Sequence, residues 1–225
     1  MSEGFDFIGR AEELRQREAT PRRLEMRRLA DAGRRVIERL VATQAPEDVL
    51  RRAADALAEI ATELEGYPQG NLYEGFGESA NAGDPHAFFD HSPVMGLANP
   101  IAPPLSLWVE EGVVHGRARF GSAYEGPPHH VHGGYIAAAF DEVLGMCQSL
   151  SGRPGMTANL TVNYRKPTPL RTELRFEGRL LRVDGRKIFT EGKVFNGDVM
   201  TAEAEGLFIS IDFAAFAQRS REQKG

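Results

Sequence analysis

The chain has 225 residues, 41% hydrophobic and 26% charged, with a formal net charge of −5. That is room for one mid-sized globular domain plus an additional segment, and the acidic balance gives no general reason to expect a nucleic-acid partner. The single cysteine, Cys147, excludes an intrachain disulfide and a cysteine-rich zinc site. No apolar run approaches the roughly 20 residues that span a bilayer, and the Glu-containing start MSEGFDFIGRAEELRQRE has no apolar core of a signal peptide. A cytoplasmic protein without a membrane partner is the expectation.

The first 66 residues are rich in Arg, Glu, Ala and Leu. Thr20 followed by Pro21 is a helix start, an N-cap with proline at the first helical position. Leu24, Leu29, Val36, Ile37, Leu40 and Val41 follow at near-helical spacing. Ala45-Pro46 opens a second helix, with Val49, Leu50, Ala53, Leu57, Ile60 and Leu64 along one face, and Gly66, Tyr67 and Pro68 end it. The arginines of both helices are interleaved with acids, which favours a solvated or docking face over a DNA-reading one. Residues 67–104 are rich in Gly, Pro and Asn. A connector of this length is functional or disordered more often than not, and Phe88-Phe89 and Val94-Met95 suggest that it packs on something.

From residue 105 the pattern is strand, strand, helix, then strands. Segments 105–110 and 113–120 form a hairpin around Glu111-Gly112. Segment 134–150 reads as a helix that is apolar over most of its circumference, and such a helix is buried on most sides. Segment 156–164 alternates, with Met156, Ala158, Leu160, Val162 and Tyr164 on one face and Thr157, Asn159, Thr161 and Asn163 on the other. Strands 172–182, 187–195 and 199–211 follow, separated by Asp184-Gly185 and Asn196-Gly197, which are strong hairpin signals. The expected division is a helical segment 1–66, a connector 67–104, a domain 105–213 and a polar tail 214–225. Periodicity alone supports an α+β class with one buried helix.

The chemistry concentrates in Glu125-Gly126-Pro127-Pro128-His129-His130-Val131-His132-Gly133-Gly134 and the helix that follows, with Asp141 nine residues after His132. Unpaired N–H groups at a helix N-terminus carry partial positive charge, and glycine lets a carbonyl approach them closely. His-Gly-Gly opening a helix with Asp at this spacing resembles the PaaI-like acyl-CoA thioesterases of the hotdog superfamily. The strand Met156-Thr157-Ala158-Asn159-Leu160, ending at Tyr164-Arg165-Lys166-Pro167, resembles the strand after the central helix in that family. Its Thr lies sixteen residues after the Asp, as in the branch that pairs Asp with Thr.

The resemblance covers roughly residues 105–211. It implies an antiparallel sheet curled around one central helix, acting on acyl-CoA without metal or cofactor. It also implies a homodimer or dimer of dimers with active sites shared between chains. It assigns the Gly133 N–H as oxyanion donor, Asp141 as general base or nucleophile, Thr157 as its support, and His132 as a group that orients the loop. Gly134 and Asn159 would line the substrate, and the basic Arg165 and Lys166 would meet the polyanionic CoA, with Arg186 and Lys187 as further candidates. One departure stands out. A neighbouring branch carries Asn six residues before the His, where this chain has Gly126. If the reaction requires a second polar donor, it comes from elsewhere, with the backbone N–H groups of 129–131 as candidates.

Blander alternatives exist for each residue. Asp141 shares the least apolar stripe of its helix with Gly145 and Gln148 and could be a surface acid. Glu142 lies about 100° around the helix from it. His129, His130 and His132 lack partners at metal-ligand spacing, and Cys147 reads as a small core residue. An acyl-CoA-sensing module, with the Arg-rich helices binding DNA or a partner, is the competing function. A hotdog dehydratase is disfavoured, because it needs a differently arranged His and carboxylate.

Overall fold

The computed structural model describes residues 18–68, 90–153 and 155–211. The expectations about the chain start, Phe88-Phe89 and the polar tail lie outside them. The elements are α1 (Pro21–Leu40), α2 (Glu47–Glu65), β1 (Ser106–Glu110), β2 (Val113–Arg119), a 3-10 turn at Ser122–Tyr124, α3 (Gly133–Ser149), β3 (Gly155–Tyr164), β4 (Glu173–Asp184), β5 (Lys187–Asn196) and β6 (Val199–Ser210). The strands form one antiparallel six-stranded sheet in the order β1-β2-β4-β5-β6-β3. Crossing from β2 through α3 sends β3 to the far edge, beside the last strand. This is the hotdog arrangement, a curled sheet around one helix.

The turns form where the sequence places them. Glu110 pairs with Val113, and the two residues between, Glu111 and Gly112, both have positive φ (50° and 76°), as a two-residue hairpin of the primed type requires. α3 buries Ile136, Ala139, Phe140, Val143, Leu144 and Cys147 against the sheet. Two cross-strand glycines make room for it. A Cβ at Gly178 would sit 2.6 Å from the Cys147 sulfur, and one at Gly192 would sit 3.1 Å from Leu144. Cys147 is fully buried, which pushes its thiol pKa up to about 12 and leaves it inert core.

Residues 90–104 of the connector do pack, with Val94 in the core, and they form a strap held down by α1. α1 is capped by Thr20, whose hydroxyl accepts the Arg23 N–H at 3.2 Å. It docks through polar groups rather than its leucines. Arg27 Nε donates to buried Asp90 at 2.8 Å, Arg23 lies 3.7 Å from the same carboxylate, and Arg34 donates to the carbonyls of Leu97 and Asn99. Leu24, Leu29, Val36 and Leu40 stay exposed, and α2 buries no residue at all. The two predicted helices are present, but their apolar faces stay exposed among the described residues. Asp90→Ala leaves buried Arg23 and half-buried Arg27 without this carboxylate, so a stability loss of about 3 kcal/mol is expected, read by denaturant unfolding.

β3 departs from simple alternation. Thr157 pairs with Phe208 and Asn159 with Leu207, so Ala158 is a bulge. Phe208, Gly206, Ala204 and Ala202 line the inner face of β6. Thr157 therefore joins Leu160, Val162 and Tyr164 on the helix side, while Met156 and Asn159 fall on the outer side. Strict alternation put Thr157 with Asn159. The extra residue of the bulge corrects this, because it shifts the two-residue period by one. Most of β3 is exposed in the isolated chain.

Candidate active site

His132 is the N-cap of α3, and its Nδ1 accepts the Gly134 N–H at 3.0 Å. The loop before it is knit by its own amides. His129 N–H donates to the Glu125 carboxylate at 2.6 Å, His130 N–H to the Pro127 carbonyl at 2.9 Å, Val131 N–H to Thr168 at 2.8 Å and His132 N–H to Tyr124 at 2.9 Å. Tyr135 N–H returns to the His132 carbonyl at 3.0 Å. Among the described residues, Gly133 N–H is the one amide of 129–135 that donates to nothing. It stands at the positive end of a 17-residue helix, half-buried beside the loop.

Tyr164, at the end of β3, donates its hydroxyl to the Gly133 carbonyl at 2.7 Å. The peptide joining Gly133 to Gly134 is thus held at both ends, its C=O by Tyr164 and its N–H by His132. A Cβ on Gly133 would lie 3.1 Å from the Tyr164 ring and hydroxyl. Gly126 presses on the His132 backbone, where a Cβ would come within 2.7 Å of the His132 Cα. A side chain there would displace the loop, which gives a physical reason for glycine at this position. The expectation that an N–H of 129–131 supplies a second donor is overturned, since all three already have acceptors.

Along the helix, Asp141 is exposed and its Oδ1 accepts the Thr157 hydroxyl at 2.8 Å. The β3 bulge makes this bond possible by turning Thr157 inward. The neighbouring Glu142 faces elsewhere. It accepts the Ser92 hydroxyl of the strap at 2.7 Å, and the Val94 and Met95 amides converge on that same hydroxyl oxygen. Burial raises the Glu142 carboxyl above its ordinary range. The Ser92 bond offsets part of that rise, and the nearby charge of Asp141 adds to it. The two adjacent acids thus serve different surroundings, one open to solvent and one tying the strap to α3.

The chain therefore brings together His132, Gly133, Gly134 and Tyr164 at one end of α3, and Asp141 and Thr157 eight residues further along. Asn159 is not with them. Its amide oxygen accepts the Thr161 hydroxyl at 3.2 Å on the outer face. Arg165 is engaged with Glu203 across the sheet (Nε to Oε1, 2.9 Å), and Lys166 is exposed at the same strand end. Arg186 and Lys187 lie at the opposite end of the sheet, with Arg186 Nε donating to Ser210 O at 3.1 Å.

Comparison with known proteins places this geometry. The family model described as "Thioesterase superfamily" matches residues 129–203. A solved structure described as a thioesterase superfamily protein is 36% identical with a TM-score of 0.70, over 82% of this chain and 94% of that one. The chain belongs to the thioesterase superfamily. The membership agrees with the PaaI-like resemblance of the His-Gly-Gly and Asp pattern, and the matched span contains His132, Gly133, Asp141, Thr157 and Tyr164. Acyl-coenzyme A thioesterase THEM4 of Mus musculus is 39% identical over 90 residues, 39% of this chain and 39% of that protein. Its counterpart in Xenopus laevis is 37% identical over 93 residues, 40% of this chain and 42% of that protein. The aligned region thus spans about two fifths of these curated relatives.

Two features of this thioesterase-superfamily site escaped sequence reading. Tyr164 stands in the quoted Tyr-Arg-Lys-Pro run, but its bond to the Gly133 carbonyl depends on β3 lying beside the start of α3. The Ser92–Glu142 bond joins positions 50 residues apart.

Proposed function

We propose that this chain hydrolyses acyl-CoA thioesters, with the Gly133 N–H as oxyanion donor and Asp141 as the base that activates water. The observation that carries the reading is the unused Gly133 N–H, left free in a loop whose other amides all have acceptors. Such a preorganised donor stabilises the oxyanion that develops when a thioester is attacked. Water adds to the thioester carbon as Asp141 takes its proton. The C–S bond then breaks, and CoA departs as a thiolate, a leaving group good enough to need no strong general acid. A route in which the Asp141 carboxylate attacks first, through an anhydride, uses the same groups. His132 and Tyr164 hold the peptide behind the donor, and Thr157 orients the carboxylate. The names of the THEM4 relatives support the substrate class.

The two groups do not reach one reacting centre within a single helix. Gly133 and Asp141 are eight residues apart, about 12 Å of axial rise, whereas both must come within about 3 Å of the substrate. β3 suggests how a second chain solves this. It is an edge strand whose ten residues, GMTANLTVNY, include no charge and no proline, so it lacks the usual guards against pairing. Thr157 near one end touches Asp141, and Tyr164 at the other touches Gly133. Antiparallel pairing of two β3 edges about a two-fold axis sets the Thr157 end of one chain beside the Tyr164 end of the other. Gly133 then faces the partner's Asp141.

A panel of acyl-CoA esters assayed by thiol release tests the activity. Turnover with at least one ester is expected, while binding without turnover across the panel would favour a sensing module. Thr157→Ala should lower kcat by about 10-fold to 10²-fold, because it supports the carboxylate rather than taking the proton. Normal turnover in that variant would remove the Thr157 to Asp141 bond from the mechanism. The sensing alternative is weakened at its DNA-binding arm, since Arg23, Arg27 and Arg34 of α1 are spent on the strap.

A further inference from the structure

The helix α2 is amphipathic yet buries no side chain. Leu50, Ala53, Leu57, Ile60 and Leu64 recur at alternating steps of three and four, the spacing of a helix-to-helix seam. Ala54 and Ala61 flank the seam and permit close approach. Val49, Leu50, Leu57, Ile60 and Leu64 are 38–52% exposed, so none of this apolar face is buried. Its charge is lopsided too. Six acids oppose two arginines, a net of −4, and those arginines answer Glu47 and Asp48 within the helix. Asp55, Glu59, Glu63 and Glu65 have no ion pair among the described residues. Glu63 and Glu65 also stand in a last turn without a basic residue, where the helix dipole disfavours acids.

α1 has the complementary character. Seven arginines oppose Glu25, Asp31 and Glu38, a net of +4. On its solvent side Leu29, Val36 and Leu40 form a stripe, 48%, 40% and 58% exposed, flanked by Arg35 and Arg39. Arg39 has no ion pair among the described residues. Within one chain α2 does not use this stripe, although only residues 41–46 separate the helices.

We propose that α2 docks through Leu50, Leu57, Ile60 and Leu64 on the α1 stripe of a second copy of this chain. Every copy presents both halves, one acidic and one basic, so a two-fold pair closes reciprocally, each α2 on the other copy's α1. Docking covers both apolar faces and brings Glu59 and Glu63 toward Arg35 and Arg39 of the other copy. Since α1 clamps the strap, the contact also braces the strap of the neighbouring molecule. The inference does not depend on what the site hydrolyses.

The test uses the full chain in two charge-reversed forms, Arg35→Glu with Arg39→Glu, and Glu59→Arg with Glu63→Arg. Amide hydrogen exchange in α2 is the readout. In the wild type the segment 50–64 should be protected, and in each variant alone protection should fall on the order of 10-fold or more. Co-expressed with different tags and purified through both, the heteromer should regain wild-type protection, because each reversed helix then meets its opposite on the other chain. Four results overturn the proposal. An α2 unprotected in the wild type is free, and one whose protection survives both reversals docks on something else. Protection lost only with the α2 reversal points to a surface other than α1. A heteromer as unprotected as its parents would mean that α2 folds on its own α1.

Discussion

Asp141→Asn should reduce kcat by about 10² to 10⁴ while the protein keeps its fold. The amide nearly matches the carboxylate in shape, and its oxygen can still accept the Thr157 hydroxyl now 2.8 Å away, so the packing of β3 on α3 is preserved. What is lost is the capacity to take a proton from water or to attack the carbonyl carbon. KM should change little, because in the proposed mechanism Asp141 acts on the reacting bond rather than on the CoA carrier. Glu142→Gln is the matched control. Its carboxyl is tied to Ser92 on the strap side, so the adjacent substitution should leave kcat within a few-fold. Near-normal kcat in a folded Asp141→Asn protein would remove Asp141 from the chemistry.

Gly133→Val should be comparably severe, with about 10² to 10³ lost from kcat. The N–H donor remains, but even a Cβ at this position lies 3.1 Å from the Tyr164 ring and hydroxyl. The side chain must push Tyr164 aside or stand where the substrate carbonyl approaches. Either outcome spoils the donor, the first by releasing the Gly133 carbonyl that Tyr164 holds at 2.7 Å. Position 133 is helical, so the change costs little in backbone conformation and the variant should still assemble, which circular dichroism and mass measurement would verify. A Gly133→Val enzyme with wild-type kcat would mean that the oxyanion is stabilised elsewhere.

Much of the fold was legible because its signals are local. Thr20-Pro21, Glu111-Gly112, Asp184-Gly185 and Asn196-Gly197 mark element ends by their own conformational preferences, and an all-round apolar helix announces its burial. The candidate groups could be named where one short segment contains them, as with His132, Gly133 and Asp141. What failed depended on groups distant in sequence or on a break in periodicity. The β3 bulge moved Thr157 to the helix side and left Asn159 outside, and no local residue signals it strongly. The engagement of the 129–131 amides involves Glu125, Pro127 and Thr168, of which the last lies beyond the whole of α3. The N-terminal helices were legible as helices, but amphipathicity does not say which chain covers the apolar face. For α1 the docking surface turned out to be arginine on Asp90 and on strap carbonyls.

The most direct test mixes two inactive proteins. Asp141→Asn and Gly133→Val chains are unfolded, combined in equal amounts and refolded together, and thiol release from the best acyl-CoA ester is measured. If each site takes Gly133 from one chain and the partner's Asp141 from the other, a mixed dimer contains one site with both groups intact and one with both spoiled. Half of randomly paired dimers are mixed, and each has half its sites working, so activity should return to about a quarter of wild type. A well-exchanged mixture that stays as inactive as its parents, with both variants still assembling, would contradict the shared site.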